Sequence, residues 1–149
     1  MQLTSLLPIA LAGLATALPA ALQAQTITED IIWGVSNFTV GCSQGGCVFR
    51  YDIAGSPNSM TPKFRTHCSG LAEKEVLCDD NNIKTTVAPA GWSEDGNQKW
   101  NVGVTHTWNT VLSDKSLATW FQYGAQNVTV PYRQPVKFVI KPTQEYGIA

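Results

Sequence analysis

The sequence predicts an all-β protein, a compact antiparallel β-sandwich or β-barrel stabilised by two disulfides. The first observation is strict alternation in the segment Trp100–Trp108, where tryptophan, valine and His106 share one face and polar residues the other. The second is that other short alternating segments are separated by clusters of Gly, Pro, Asn and Asp. The third is an even number of cysteines. Many short strands joined by polar turns are typical of an antiparallel sandwich or barrel.

The chain of 149 residues begins with a segment typical of a secretory leader. Residues 1–24 contain no charged side chain, and Leu3–Ala17 is an apolar run that ends in an A-x-A triplet. The sequence therefore predicts a signal peptide over residues 1–24, with residue 17 as an alternative cleavage point. It predicts one β-rich domain over residues 25–149 that is secreted and extracellular, and no later span of a membrane.

The strands are predicted where apolar and polar residues alternate or where β-branched and aromatic residues cluster. Ser69–Leu77 is compatible either with a short helix or with the arm of a hairpin. The predicted strands are Ile31–Phe38, Cys47–Ile53, Lys63–Cys68, Ile83–Ala88, Trp100–Trp108, Ala118–Tyr123, Asn127–Val130 and Val136–Ile140.

The aromatic and imidazole side chains are mostly assigned to the core. Tryptophans on predicted strands are expected to fill a thin core, and His106 shares their face. His67 is expected at a sheet edge. Trp92 differs, because it lies in a polar loop, where an exposed contact with a sugar or with a protein partner is a candidate role for it.

The cysteines are predicted to form disulfides in an oxidising compartment, since their spacings match no common zinc site. Three connectivities exist, and local pairing of Cys42 with Cys47 and of Cys68 with Cys78 is predicted. Loops of this size are stabilised by roughly 2–3 kcal/mol each. Two sequons, at Asn37 and Asn127, are candidate glycosylation sites.

No catalytic group stands out, so the sequence predicts no enzyme, no metal site and no cofactor. Two acidic loops remain as a low-ranking ligand or calcium site, Asp79–Asp80 and Glu94–Asp95, with Trp92 beside the second. Such a site requires both loops to meet at one end of the sandwich; the alternative is a pair of solvated turns. A ribonuclease would require the remaining candidate acid, base and phosphate-binding groups to assemble, namely Arg65, His67, Glu75 and His106. A net charge of −1 and a pI near 6.0 argue against a nucleic-acid partner.

The succession of motifs resembles a known family. W-x-V-x-x-F opens the domain at Trp33–Phe38, and the aromatic strand Cys47–Ile53 follows. F-x-x-x-C-S at Phe64–Ser69 leads to a second cysteine, Cys78, and the late strand Trp100–Trp108 completes the pattern. This succession, from Ile31 to Ile140, resembles the Alternaria major-allergen-like family of small secreted fungal proteins, which includes hypersensitive-response elicitors.

The resemblance implies a compact β-rich fold with two intramolecular disulfides and a non-catalytic role at the host interface as an effector, elicitor or allergen-like protein. A host protein or a cell-wall component is the partner it implies. With all four cysteines paired, the protein would be a monomer or a non-covalent dimer. The alternatives are a secreted module that binds carbohydrate or a small ligand and, with less support, a small hydrolase or ribonuclease.

Overall fold

The computed structural model of the protein describes residues 31–58 and 60–149, and the predicted signal peptide lies outside this part. The described residues form nine strands and no helix. Accordingly, no helix within them is long and apolar enough to cross a membrane. The strands are β1 (Trp33–Ser43), β2 (Gly46–Gly55), β3 (Phe64–Leu71), β4 (Glu75–Leu77), β5 (Ile83–Trp92), β6 (Gln98–Val111), β7 (Leu117–Val130), β8 (Val136–Ile140) and β9 (Pro142–Ile148).

Two antiparallel sheets pack against each other, which confirms the predicted fold class and selects the sandwich. The first sheet has the strand order β3-β2-β1-β8, and the second has the order β4-β5-β6-β7-β9. The chain passes from the first sheet to the second after β3, returns after β7, and passes back once more between β8 and β9. Every ladder pairs antiparallel strands, so one face of each sheet is free to face solvent.

The core lies between the sheets and is built from alternate residues, as the period of two predicts. On β6 all five residues of the predicted inner face are buried, His106 included. The four tryptophans predicted for the core are between 0% and 9% exposed: Trp33, Trp100, Trp108 and Trp120. Burial of rings this large supplies much of the apolar area of so small a domain.

A β-bulge in β1 changes which residues face the core. Asn37 and Phe38 together oppose the single residue Tyr51 of β2, and Asn37 has a positive φ of 57°. The extra residue shifts the alternation by one position, so that both Val35 and Phe38 point inward although they are three positions apart. Asn37 itself is exposed on the outer face.

Both disulfides have the predicted local pairing. Cys42–Cys47 joins register partners beside the turn of the β1–β2 hairpin. Cys68–Cys78 joins β3, in the first sheet, to the residue that follows β4 of the second sheet, so it links the two layers. Two disulfides are consistent with an extracellular protein.

Three segments differ from the sequence-based predictions. The helical interpretation of Ser69–Leu77 is wrong, because β3 runs into this segment and β4 closes it as the first arm of a hairpin with β5. The two strands predicted at Ala118–Tyr123 and Asn127–Val130 are one continuous strand, β7. Strand β9 was not predicted, because its buried residues are Pro142, Glu145 and Gly147, which give no apolar alternation.

Candidate functional site

One cleft, termed the outer cleft, lies on the solvent side of the first sheet and has a volume of about 740 Å³. β1, β2 and β3 form its floor, and the turn between β4 and β5 forms one wall. Its polar and charged lining consists of Ser36, Asn37, Asp52, Arg65, Thr66, His67, Asp79 and Asp80.

A hydrogen-bonded chain of three side chains crosses the floor of the outer cleft. Asp52 of β2 and His67 of β3 are register partners, and Asp52 Oδ1 lies 3.0 Å from His67 Nδ1. An ionised carboxylate only accepts hydrogen bonds, so the proton of this contact belongs to Nδ1. Asn37 Nδ2 donates to Asp52 Oδ2 at 2.8 Å. The hydrogen bond from Asn37, followed by that from His67, lowers the pKa of Asp52 below its ordinary value.

The acidic turn Asp79–Asp80 is held against β3 beside His67. The Cys68–Cys78 disulfide brings it there, the Asp79 amide donates to the His67 carbonyl at 2.9 Å, and the Asp80 amide donates to Thr66 Oγ1 at 2.8 Å. The two aspartates therefore share a cleft with Asp52 and His67.

The two acidic loops lie at opposite ends of β5, so the ligand or calcium site that required them to meet does not form. Asp79–Asp80 precedes β5 and Glu94–Asp95 follows it, and this strand is ten residues long. At about 3.3 Å per residue, roughly 30 Å separates the two turns. Within residues 31–58 and 60–149, no three His, Cys, Asp or Glu side chains are grouped so that they could hold a metal ion.

The ribonuclease constellation does not assemble either. Arg65 and His67 lie on the outer face of the first sheet, whereas Glu75 belongs to the second sheet and pairs with Lys84, Oε1 to Nζ at 3.0 Å. His106 is buried in the core between the rings of Phe64 and Trp108.

His106 lies among core side chains, as its position on the apolar face of the strand predicts. It is 2% exposed, and burial lowers its pKa from 6.5 to about 4, so the imidazole is neutral at pH 7. Its Nδ1 has no hydrogen-bond partner among the residues that the structure describes.

The order of side chains across the outer cleft decides which chemistry it can perform. Ser36, Asp52 and His67 are aligned across β1, β2 and β3. In a hydrolytic triad the imidazole lies between the hydroxyl and the carboxylate. Here the carboxylate is in the middle, so two strand spacings of about 4.8 Å separate the hydroxyl from the imidazole.

A second cleft, termed the end cleft, opens between the sheets at the end of the sandwich and has a volume of about 480 Å³. Its wall carries two aromatic rings, Trp92 at 69% exposure and Tyr132 at 79%, above the buried Trp100. Arg133 also lines it, with Cζ 4.9 Å from the centroid of the Tyr132 ring. Trp92 is exposed, as the candidate contact role requires, but Glu94 and Asp95 of its loop do not line the cleft.

The two sequons occupy different surroundings. Asn37 lies at the outer cleft and donates to Asp52, whereas Asn127 of β7 accepts a hydrogen bond from Asn101 Nδ2 at 2.8 Å. Both side chains belong to exposed residues.

Three residues that line the clefts were not predicted from the sequence, namely Asp52, Tyr132 and Arg133. Asp52 stands on the polar side of a predicted strand, and only the β2–β3 register places it opposite His67. A signal for Tyr132 existed, since a tyrosine between Pro131 and Pro135 lies in a turn that cannot bury it.

Comparison with known protein families, with curated proteins and with solved structures finds no match for this chain.

Proposed function

We propose that this protein is a secreted, non-enzymatic recognition protein that acts at a host interface, in the manner of a fungal elicitor or allergen-like effector. The host-interface part rests on the resemblance of Trp33–Phe38, Cys47–Ile53 and Phe64–Ser69 to that family. A disulfide-linked sandwich suits this role, because the links hold a recognised surface in one shape outside the cell.

One observation carries the non-enzymatic part, the position of Asp52 between Ser36 and His67. With Nδ1 bonded to Asp52, the imidazole is oriented as in a hydrolase, but the aligned hydroxyl lies on the far side of the carboxylate. The lowered pKa of Asp52 also argues against a glycosidase acid, which has to hold a proton near neutral pH.

The test is infiltration of the purified protein into plant leaves, with cell death and the oxidative burst as readouts. The variant Asp52→Asn/His67→Gln removes the ionisable pair of the outer cleft with little change of volume. Glu75→Gln/Lys84→Gln is the matched control, since it removes the exposed ion pair of the other sheet. We expect the native protein and both variants to give the same response at equal melting temperature.

Two results would contradict the proposal. A response that disappears only in the Asp52→Asn/His67→Gln variant, together with a saturable product from a defined substrate, would identify an enzyme. Absence of any response to the native protein in every host tissue tested would remove the elicitor role.

A further inference from the structure

The end cleft shares no lining residue with the outer cleft, and the proposed function does not use it. We propose that it binds an oligosaccharide, with the rings of Trp92 and Tyr132 as stacking surfaces and Arg133 as the contact for an acidic sugar. This inference does not depend on the elicitor role, because it concerns a different part of the surface.

The rings of Trp92 and Tyr132 at the end cleft are exposed to solvent. Trp92 is 69% exposed while the other four tryptophans are at most 9% exposed, and Tyr132 at 79% is the most exposed of the large hydrophobic residues. An exposed indole or phenol forgoes the favourable burial of a large apolar area. Both rings border the same cleft, which marks a contact surface more strongly than either ring alone.

The backbone around Trp92 is restrained before any ligand arrives. A register shift between Pro89 and Trp92, with Gly91 at a φ of 97°, ends the regular alternation of β5. The following turn is closed by the Ser93 amide donating to the Asn97 carbonyl at 2.8 Å and by Ser93 Oγ accepting from the Asn97 amide at 3.0 Å. A ring carried on a closed turn loses little entropy on binding.

The backbone turn that carries Tyr132 is restrained as well. Pro131 and Pro135 bracket its turn, and the Gln134 amide donates to the Pro131 carbonyl at 3.3 Å. The Arg133 guanidinium lies over one face of the tyrosine ring, in cation–π geometry. The chain therefore presents an aromatic ring and a positive charge together at the rim.

The polar groups of the cleft identify the class of ligand. Asn97 and Gln98 line it beside the rings, and each amide both donates and accepts hydrogen bonds. A pyranose ring has an apolar C–H face that stacks on an aromatic ring and hydroxyl groups that such amides bind. A flat hydrophobic ligand would use the rings but not the amides.

Arg133 adds a preference for acidic sugars. It is the one charged residue that lines the cleft, and neither ion pair among the described residues, His67–Asp52 and Lys84–Glu75, involves it. A guanidinium binds a carboxylate through two parallel hydrogen bonds, so a uronic acid matches it better than a neutral hexose. Glu94 and Asp95 belong to the neighbouring turn but do not line the cleft.

The test measures binding to two probes, oligogalacturonate as the acidic glycan and cello-oligosaccharide as the neutral one, by calorimetry and tryptophan fluorescence. Trp92 is the one exposed tryptophan of five, so a ligand in the end cleft should shift the emission and protect it from iodide. We expect oligogalacturonate to bind more tightly. Trp92→Ala and Tyr132→Ala should each weaken binding about tenfold or more.

The control is Tyr146→Ala, which removes a partly exposed ring, stacked on Phe121, from the outer face of the second sheet. Its affinity should equal that of the native protein. Arg133→Gln should remove the preference for the acidic probe and leave the fluorescence response to both probes.

Three results would overturn the inference. If neither probe binds at millimolar concentration, the glycan site is excluded. The site is also excluded if Trp92→Ala leaves the binding affinity unchanged. Equal affinity of the native protein for both probes would remove the role given to Arg133. All three readouts use purified protein without plant tissue, so their failure is separate from failure of the elicitor role.

Discussion

Asn37 and Asp52 are joined across the β1–β2 ladder at the point where the ladder is irregular, with Asn37 Nδ2 2.8 Å from Asp52 Oδ2. The bulge that gives Asn37 its positive φ also places its amide beside the carboxylate. The hydrogen bond formed at this irregularity of the backbone thus lowers the pKa of a cleft carboxyl group, and this relationship can be tested.

Replacing Asn37 with Ala should raise the pKa of Asp52 toward its ordinary value. The hydrogen bond from Asn37 is the largest cause of the lowered pKa, and His67 is the next. NMR titration of the Asp52 carboxyl carbon measures the change. Asn127→Ala, which alters the other sequon, is the control and should leave the titration as it is; an unchanged pKa in Asn37→Ala would contradict the assignment.

His106 should make folding stability depend on pH between about 4 and 6.5. Because burial lowers its pKa, the unfolded chain takes up a proton in this range that the folded protein does not, so stability falls as the pH falls. At about 1.4 kcal/mol per pKa unit, protonation of His106 in the unfolded chain lowers the free energy of unfolding by about 3 kcal/mol near pH 4. This pH-dependent loss of stability is absent above pH 6.5.

Urea unfolding of the native protein and of His106→Gln measures this component. The difference in unfolding free energy between them should shrink as the pH falls from 7 to 4. Parallel pH profiles would mean that His106 is protonated equally in both states.

The two disulfides should differ in their response to reductant. Cys42 is exposed beside a hairpin turn, whereas Cys68 is 0% and Cys78 5% exposed. Mild reduction of the folded protein should therefore release the Cys42 and Cys47 thiols first, as differential alkylation and peptide mapping would show.

Removing one disulfide should lower the free energy of unfolding by a different amount than removing the other. We expect about 2 kcal/mol for Cys42→Ser/Cys47→Ser and about 3 kcal/mol or more for Cys68→Ala/Cys78→Ala, whose loop is longer. A difference in unfolding free energy between the two variants no larger than the difference of about 1 kcal/mol that loop length predicts would show that the link between the sheets adds nothing beyond loop closure.

A buried hydroxyl pair connects the two sheets and gives a further prediction. Tyr51 of β2 donates to Thr85 Oγ1 of β5 at 2.5 Å, and Thr85 donates to the Gly103 carbonyl at 2.9 Å. Burial raises the pKa of Tyr51, so it stays a neutral donor. Tyr51→Phe removes one hydrogen bond and should cost about 1 kcal/mol.

Thr85→Val should cost more, about 2–4 kcal/mol, because it leaves both the Tyr51 hydroxyl and the Gly103 carbonyl without their partner. Chemical denaturation of both single variants compares these costs. A larger cost for Tyr51→Phe than for Thr85→Val would contradict the proposed direction of the two hydrogen bonds.

The fold was largely predictable because its strongest strands obey the simple rule of alternation. β6 has large apolar residues at every second position, and the predicted Val136–Ile140 coincides with β8. β9 was hidden because its inward positions hold Glu145, which accepts from Gln122 Nε2 at 2.8 Å, and Gly147, which packs against the Trp120 ring. Tertiary contacts, not local pattern, make that segment a strand.

The clefts were less predictable, because they depend on register and on turns. Asp52 lies opposite His67 only because the connection between Gly55 and Phe64 sets the register of β2 against β3. No residue pattern specifies that register. Cys68–Cys78 pairing was predictable from spacing, but not its effect of placing Asp79–Asp80 beside His67. Sequence thus identified the acidic turn and missed its partners.

The bulge at Asn37 limits how this strand can change in length. Deleting one residue there would restore simple alternation along β1. Either Trp33 and Val35 or Phe38 would then point toward solvent, although the rings of Trp33 and Phe38 are now 0% exposed. The turn Ser113–Ser116 is exposed throughout and carries no core side chain, so an insertion there disturbs nothing inward. Related chains should therefore align without gaps through β1 and differ in length between β6 and β7.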